Sequence, residues 1–459
     1  EANRCKNMWT LGLMYWLFGR ERDHTIAWLK TKFAKRPEIA EANIAALNAG
    51  HIYGENAELP HGINAYEVPA AALTPGEYRN VNGSEATAWG LVTGAQLAGL
   101  DMMYGSYPIT PASNLLHQLA RLKHFGVTTF QEEDEIAAVA AAIGASFAGS
   151  IGVTGTSGPG VALKSEGIGL AIAAELPLVV VNVQRGGPST GLPTKTEQSD
   201  LFQAVVGRNG DAPLVVLAAA TPGDCYYMAV EAVRMAVKYM TPVMLLTDGY
   251  LANSAEPWQL PDLDSLQPFP VEFHSDPEDF HPFLRDDHTL ARAWAIPGTP
   301  DVQHRIGGLE RDRKTGHISY DPHNHHLMTK VRHQKIAGIA RNIEAAKVDQ
   351  GENEGDLLVV GWGSTYGAIS KSVGILRERG HQVSHLHLRN IWPLPEGLGA
   401  LLNGFHSVLV PELNFGQLAM LLRAEFLVEA ESLTRVTGQP FRINGLVAAV
   451  EERLVRSPT

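Results

Sequence analysis

Apolar residues recur every three or four positions through IAWLKTKFAKRPEIAEANIAAL, which predicts helices over residues 1–50. Residues 51–80 hold Gly and Pro with little periodicity and read as a linker. From Asn82 the pattern alternates. The helix SEATAWGLVTGAQLAGL leads to a strand over MMYGSYPIT, a helix near 112–124 precedes the strand GVTTF, and an alanine-rich helix precedes the strand SIGVTGT. A helix over 161–174 leads to PLVVVNVQ, and TPVMLLTD at 241–248 supplies a further strand. Apolar strands separated by helices predict an α/β fold, with a parallel sheet covered on both faces.

Residues 255–330, rich in Pro, Asp and His, read as a long irregular connection, followed by a helix through MTKVRHQKIAGIARNIEAA. The acidic stretch DQGENEGD marks a boundary. A second α/β unit begins at Leu357 with the strand LLVVGWG, a helix over 364–380, the strands QVSHLHL and SVLVPE, and a final helical region. The expected segments are therefore 1–80, 81–255, 256–355 and 356–459. A chain of 459 residues exceeds what one core holds. It starts at Glu1 inside helical sequence, so a preceding segment outside this sequence is expected.

Composition narrows the function. Apolar residues make up 45% and charged residues 19%, as in ordinary globular proteins. The formal net charge of -12 argues against a nucleic-acid surface. Two cysteines, Cys5 and Cys225, cannot build a disulfide framework, nor ligate an iron–sulfur cluster without thiolates from elsewhere. A reducing, cytoplasmic location is expected. No run approaches the roughly 18–20 apolar residues that a membrane helix needs.

The candidate chemistry starts at QEEDEI, where four acids run from Glu132 to Glu135 into the alanine helix. They are either N-terminal helix charges, each stabilising by roughly 0.3–1 kcal/mol, or one of them is carried inward. Downstream, TGTSGPG at 154–160 lies between a strand and a helix. It is either a tight turn or a place where a ligand approaches the backbone closely. Counting from Glu135, Ala stands at +3 and +7, Gly at +9, and the Thr-Ser-Gly-Pro-Gly run begins at +21. Small residues at +3 and +7 share one helix face, which permits close packing.

This combination resembles the pyrimidine-binding domain of thiamine-diphosphate enzymes. YPITP at 107–111 and the Glu-Asp-Glu segment behind it are similar to the α subunits of 2-oxoacid:ferredoxin oxidoreductases. The resemblance implies that Glu135 activates thiamine diphosphate at its aminopyrimidine, with Tyr107, Pro108 and Ile109 beside the cofactor and Thr110 at the substrate. The run VQRGGPSTGLPTKTEQSDL at 183–201 is similar to the branch acting on 2-oxoglutarate. Arg185 and Thr194 are then expected to hold substrate oxygens, with Lys195, Thr196 and Ser199 as weaker candidates. Arg185 alternatively forms a surface ion pair.

The C-terminal unit resembles the transketolase C-terminal domain, and residues 1–50 resemble the tail of a γ-type domain whose Gly-x-Gly-Gly-Gln-Gly opening is absent. No Gly-Asp-Gly motif with a correctly spaced Asn occurs. The diphosphate, Mg2+ and the iron–sulfur cluster are therefore expected on a β subunit, in an (αβ)2 assembly that uses coenzyme A and ferredoxin. The rivals are a member acting on indolepyruvate, a branched-chain 2-oxoacid or pyruvate, and a non-catalytic subunit. His323, His325 and His326 match no metal-site spacing, and no metal is expected on this chain. His385 and His387 alternate along a strand and read as structural.

Overall fold

The computed structural model describes residues 5–57, 66, 69, 71–278 and 280–456. The chain divides into two units, Glu1–Gly76 and Glu77–Thr459. The first holds three helices, Lys6–Leu17, Asp23–Lys32 and Pro37–Asn56. The last begins on a proline in its first turn, where a missing N–H costs nothing. It runs six residues into the stretch expected as a linker, part of which lies outside the described residues.

Among the described residues the second unit contains every strand: β1 Tyr78–Asn82, β2 Met102–Ser106, β3 Val127–Gln131, β4 Ile151–Thr156, β5 Leu178–Gln184, β6 Val215–Ala218, β7 Pro242–Asp248, β8 Ala255–Gln259, β9 Gly355–Trp362, β10 Val383–Leu388, β11 Asn390–Trp392, β12 Phe405–Glu412 and β13 Ala430–Thr434. Seven form one sheet in the order β11-β6-β7-β5-β4-β2-β3, parallel except for β11. Four form a parallel sheet in the order β10-β9-β12-β13. The edge strand β11 comes from beyond residue 356, so the C-terminal lobe completes the larger sheet.

Period-two alternation explains why both sheet faces are covered. Along β5, Val179, Val181 and Val183 pack with Leu91, Val233 and Leu245, whereas Leu178 and Val180 pack with Val139, Ala142 and Ile168. The second cluster continues through Trp362, Val410 and Leu418, and so joins the larger sheet to the smaller one.

Three expectations need correction. The strand over MMYGSYPIT ends at Ser106, because the two prolines after it cannot extend a ladder. The connection at 255–330 opens with β8, which pairs antiparallel with β1. The stretch HNHH is not irregular. Asp321 caps a helix Pro322–Gly338, its Oδ1 accepting from the His323 N–H at 3.0 Å, so the three histidines lie within the first five residues of that helix. Among the described residues no group of three His, Cys, Asp or Glu could hold a metal ion. No helix there is long and apolar enough to cross a membrane.

Candidate functional site

The alanine helix, Glu135–Phe147, lies almost backbone to backbone on the larger sheet. A Cβ added at Gly105 of β2 would meet the Ala138 carbonyl oxygen at 2.3 Å, and one at Gly152 of β4 would meet that of Ala142 at 2.1 Å. The residues at +3 and +7 from Glu135 are therefore the seating points of the helix. Of the four acids, Asp134 makes the cap, its Oδ1 accepting from the Ala137 N–H at 2.8 Å. The Glu132 N–H donates to the Ser106 carbonyl at 2.6 Å and ties the acidic run to the end of β2. Glu133 is exposed, and Glu135 is the first helical residue, half-buried.

Beyond β2, Tyr107 is buried and its hydroxyl lies 2.7 Å from the Thr156 hydroxyl at the end of β4. A Cβ on Gly160 would meet both oxygens at 2.1 Å and the Glu135 Cγ at 3.1 Å. Tyr107 of YPITP, Glu135 of QEEDEI and Gly160 of TSGPG thus share one spot. It lies at the carboxyl ends of parallel strands, where open α/β sheets bind ligands. Burial pushes the Tyr107 phenol up, the Thr156 hydroxyl opposes that, and the Glu135 carboxylate adds to the rise.

Thr110 takes part in the site's frame through its main chain. Its side chain is exposed, while its carbonyl accepts from Arg185 Nη1 at 2.5 Å and lies 3.3 Å from Ser157 Oγ. Ser157 Oγ also donates to the Val183 carbonyl at 2.7 Å, which locks the ends of β2, β4 and β5 together. Arg185 is buried rather than on the surface, and its Nε has no hydrogen-bond partner. Pro108 is exposed and Ile109 half-buried, the Ile109 N–H donating to Ser113 Oγ at 2.9 Å.

Thr194 and Lys195 are exposed on a loop that folds on itself, with the Gly186 N–H donating to the Lys195 carbonyl at 2.9 Å. Thr196 is buried, and Ser199 Oγ donates to Glu197 Oε2 at 2.8 Å. Gln198 anchors the loop to the C-terminal lobe: its Nε2 donates to the Trp362 carbonyl at 2.8 Å, and its own carbonyl accepts from Asn414 Nδ2 at 2.8 Å.

Two residues escape the motif reading. Asp200 is buried with Oδ2 accepting from Asn182 Nδ2 at 3.0 Å, against Gly158. Burial pushes its carboxyl up to about 6, and Arg185 opposes this. Lys164 is fully buried behind Glu135. Its signal was present, since Val161, Lys164 and Ile168 fall on one helical stripe whose other members are apolar.

Residues 93–320 match the family described as pyruvate flavodoxin/ferredoxin oxidoreductase, thiamine diP-bdg. The chain is 53% identical over 441 residues to the 2-oxoglutarate oxidoreductase subunit KorA of Mycobacterium tuberculosis, covering 96% of this chain and 67% of that one. It is 31% identical to the α subunit of 2-oxoacid:ferredoxin oxidoreductase 2 of Aeropyrum pernix, covering 100% of this chain and 74% of that one. The solved 2-oxoglutarate:ferredoxin oxidoreductase from Magnetococcus marinus, with 2-oxoglutarate, coenzyme A and succinyl-CoA bound, superposes with a TM-score of 0.88. That match has 34% identity and covers 98% of this chain and 78% of that one. Fold, motifs and relatives agree, and the chain belongs to the family of 2-oxoacid:ferredoxin oxidoreductase α subunits.

Proposed function

We propose that this chain is the α subunit of a 2-oxoglutarate:ferredoxin oxidoreductase. The reaction converts 2-oxoglutarate and coenzyme A to succinyl-CoA and CO2, with two electrons passing to ferredoxin. The observation that carries this reading is the convergence of Glu135, Tyr107, Thr156 and Gly160 at one spot. The substrate follows the Mycobacterium and Magnetococcus relatives, both named for 2-oxoglutarate.

The site fits the aminopyrimidine end of thiamine diphosphate. A half-buried carboxylate stands at the start of the alanine helix, beside the buried Tyr107 and Thr156 hydroxyls, which close on the backbone of Gly160. Thiamine diphosphate, when bound, supplies the carbanion-stabilising ring that decarboxylation of a 2-oxoacid requires. Glu135 would hold a proton in common with the pyrimidine N1′. Tyr107 and Thr156, bonded to each other, would hold the sheet edge beside Glu135 in place. Arg185, with its free Nε, would bind a substrate carboxylate. The Thr110 hydroxyl and Thr194, both exposed, would meet the remaining substrate oxygens. Neither a Gly-Asp-Gly motif nor a cluster of thiolates occurs in this chain, so the diphosphate, Mg2+ and iron–sulfur cluster fall to a β subunit. The working enzyme is then a cytoplasmic (αβ)2 assembly.

The test is ferredoxin reduction by the αβ assembly, supplied with coenzyme A and thiamine diphosphate, across a panel of 2-oxoacids. Preference for 2-oxoglutarate over pyruvate, indolepyruvate and branched-chain 2-oxoacids is expected. Equal or better turnover of another 2-oxoacid would reassign the substrate. Full turnover in Glu135→Gln would remove the thiamine reading itself.

A further inference from the structure

Lys164 is fully buried, on the helix Gly158–Ala174. Its Nζ donates to the main-chain carbonyl of Glu135 at 2.9 Å and to Thr154 Oγ1 at 3.1 Å, and lies 4.8 Å from the centre of the Tyr107 ring. Both acceptors are neutral oxygens. Stability alone argues against a lysine here. A buried ammonium loses its hydration, and the N-terminus of the alanine helix carries partial positive charge that repels a cation. Val161 and Ile168, on the same stripe, show that an apolar side chain would suit the position.

What offsets these costs is local. The charges of Glu135 and Asp134 attract the ammonium from the helix start, and the Tyr107 ring face adds a cation–π contact. Lys164 therefore touches the two residues that the proposed thiamine site depends on most, Glu135 through its backbone and Tyr107 through its ring.

We propose that Lys164 is a positioning residue of this site: its hydrogen bond fixes the first residue of the alanine helix, and its positive charge balances the Glu135 carboxylate. The proposal rests on the thiamine reading of Glu135. Burial pulls the ammonium down to about 7, against the pull of Glu135 and Asp134 in the other direction. A neutral amine still donates two hydrogen bonds, so loss of the proton removes the charge and leaves the geometry in place. The site is thereby sensitive to pH near neutrality through a group that never meets solvent.

The experiment compares the wild-type αβ assembly with Lys164→Gln and Glu135→Gln, measuring kcat against pH, thiamine diphosphate affinity by calorimetry, and the melting temperature. Lys164→Met, which suits the apolar stripe, replaces the Gln variant if that one does not assemble. The wild type is expected to show an inflection in kcat near pH 7. The Lys164 variant should lose that inflection and bind thiamine diphosphate roughly tenfold more weakly. A Lys164 variant with the wild-type profile and affinity, altered only in melting temperature, would overturn the proposal and leave a purely structural lysine. If Glu135→Gln turns over normally, the thiamine reading falls and this inference with it. If Glu135→Gln is inactive while the Lys164 variant matches the wild type, only the role of Lys164 falls.

Discussion

The Tyr107 and Thr156 hydroxyls lie 2.7 Å apart, and Gly160 leaves no room for a methyl between them. Gly160→Ala would push a Cβ to 2.1 Å from both oxygens. One of them must move, and the Glu135 Cγ stands at the same place. Such overpacking costs about 1–3 kcal/mol. The expected outcome is an assembly that still folds, with a lower melting temperature and most of its turnover gone. Wild-type ferredoxin reduction in this variant would show that the crowding around Gly160 does not shape the reacting site.

Arg185 offers a cleaner separation of binding from chemistry. Its Nη1 is committed to the Thr110 carbonyl, while its Nε is buried without a partner. A lysine could keep the bond to Thr110 but has no second planar donor to offer a carboxylate. A charge-assisted hydrogen bond contributes about 1.5–3 kcal/mol. Arg185→Lys should therefore raise KM for 2-oxoglutarate by roughly ten- to a hundredfold, with a smaller change in kcat. Steady-state kinetics of the two assemblies checks this, and an unchanged KM would assign Arg185 to holding the Thr110 turn alone.

The spacing from Glu135 is legible in the sequence because small residues at +3 and +7 have one physical use, letting a helix backbone touch a sheet. Ala138 over Gly105 and Ala142 over Gly152 are that use. Strand cores such as β5 are legible for a similar reason, being apolar on both faces. The Thr110 contact is not legible, because a motif names a side chain while the fold employs the carbonyl behind it. For Lys164 the burial is legible from its apolar stripe but its partners are not, being a main-chain oxygen and a hydroxyl rather than a paired acid. The edge strand β11 is too short for any periodicity, and its pairing with β6 is set by the docking of the C-terminal lobe.

The irregular connection is held by buried ion pairs as well as by apolar anchors such as Phe283 and Trp294. Glu175, at a positive φ of 51° just past the helix Gly158–Ala174, is buried and ion-paired with both Arg285 and Lys335. Lys335 Nζ lies 2.7 Å from Glu175 Oε2 and also donates to the Met240 carbonyl at 3.1 Å. Burial opposes the charge on Glu175, but Lys335 and Arg285 outweigh it and hold the carboxyl below its ordinary value. Removing one partner strands the others in a dry site, at a cost of about 3–5 kcal/mol. Glu175→Gln should accordingly lower the midpoint of chemical denaturation far more than Arg379→Gln, which breaks an exposed pair with Glu451. Equal effects from the two variants would show that the buried network contributes nothing special.

His385 and His387 link the stability of the C-terminal lobe to pH. Both are buried on β10, with ring centres 5.6 Å apart and the Tyr366 ring beside each. His387 Nε2 lies 3.1 Å from the Gly363 carbonyl, while both His385 nitrogens and His387 Nδ1 have no hydrogen-bond partner. Burial, and then the nearby Arg389, pull His385 down to about 4; burial, His385 and Arg389 pull His387 well below its ordinary value. In the unfolded chain both titrate near pH 6.5. As the pH falls below roughly 6.5, the unfolded state therefore binds protons that the folded state refuses, and stability declines. The slope reaches about 1.4 kcal/mol per pH unit for each histidine, until His385 itself protonates near 4. His304, also lowered by burial, adds in the same direction. Asp200, pushed by burial up to about 6, takes up a proton in the folded state and opposes this fall, equally in the wild type and in a histidine variant. Denaturant titrations between pH 7.5 and 5.5 (a range chosen around the ~6.5 of free histidine) should show this fall in the wild type. A His385→Leu, His387→Gln double variant should be flatter across the same range. If the two slopes coincide, the buried pair is not what couples this fold to acid.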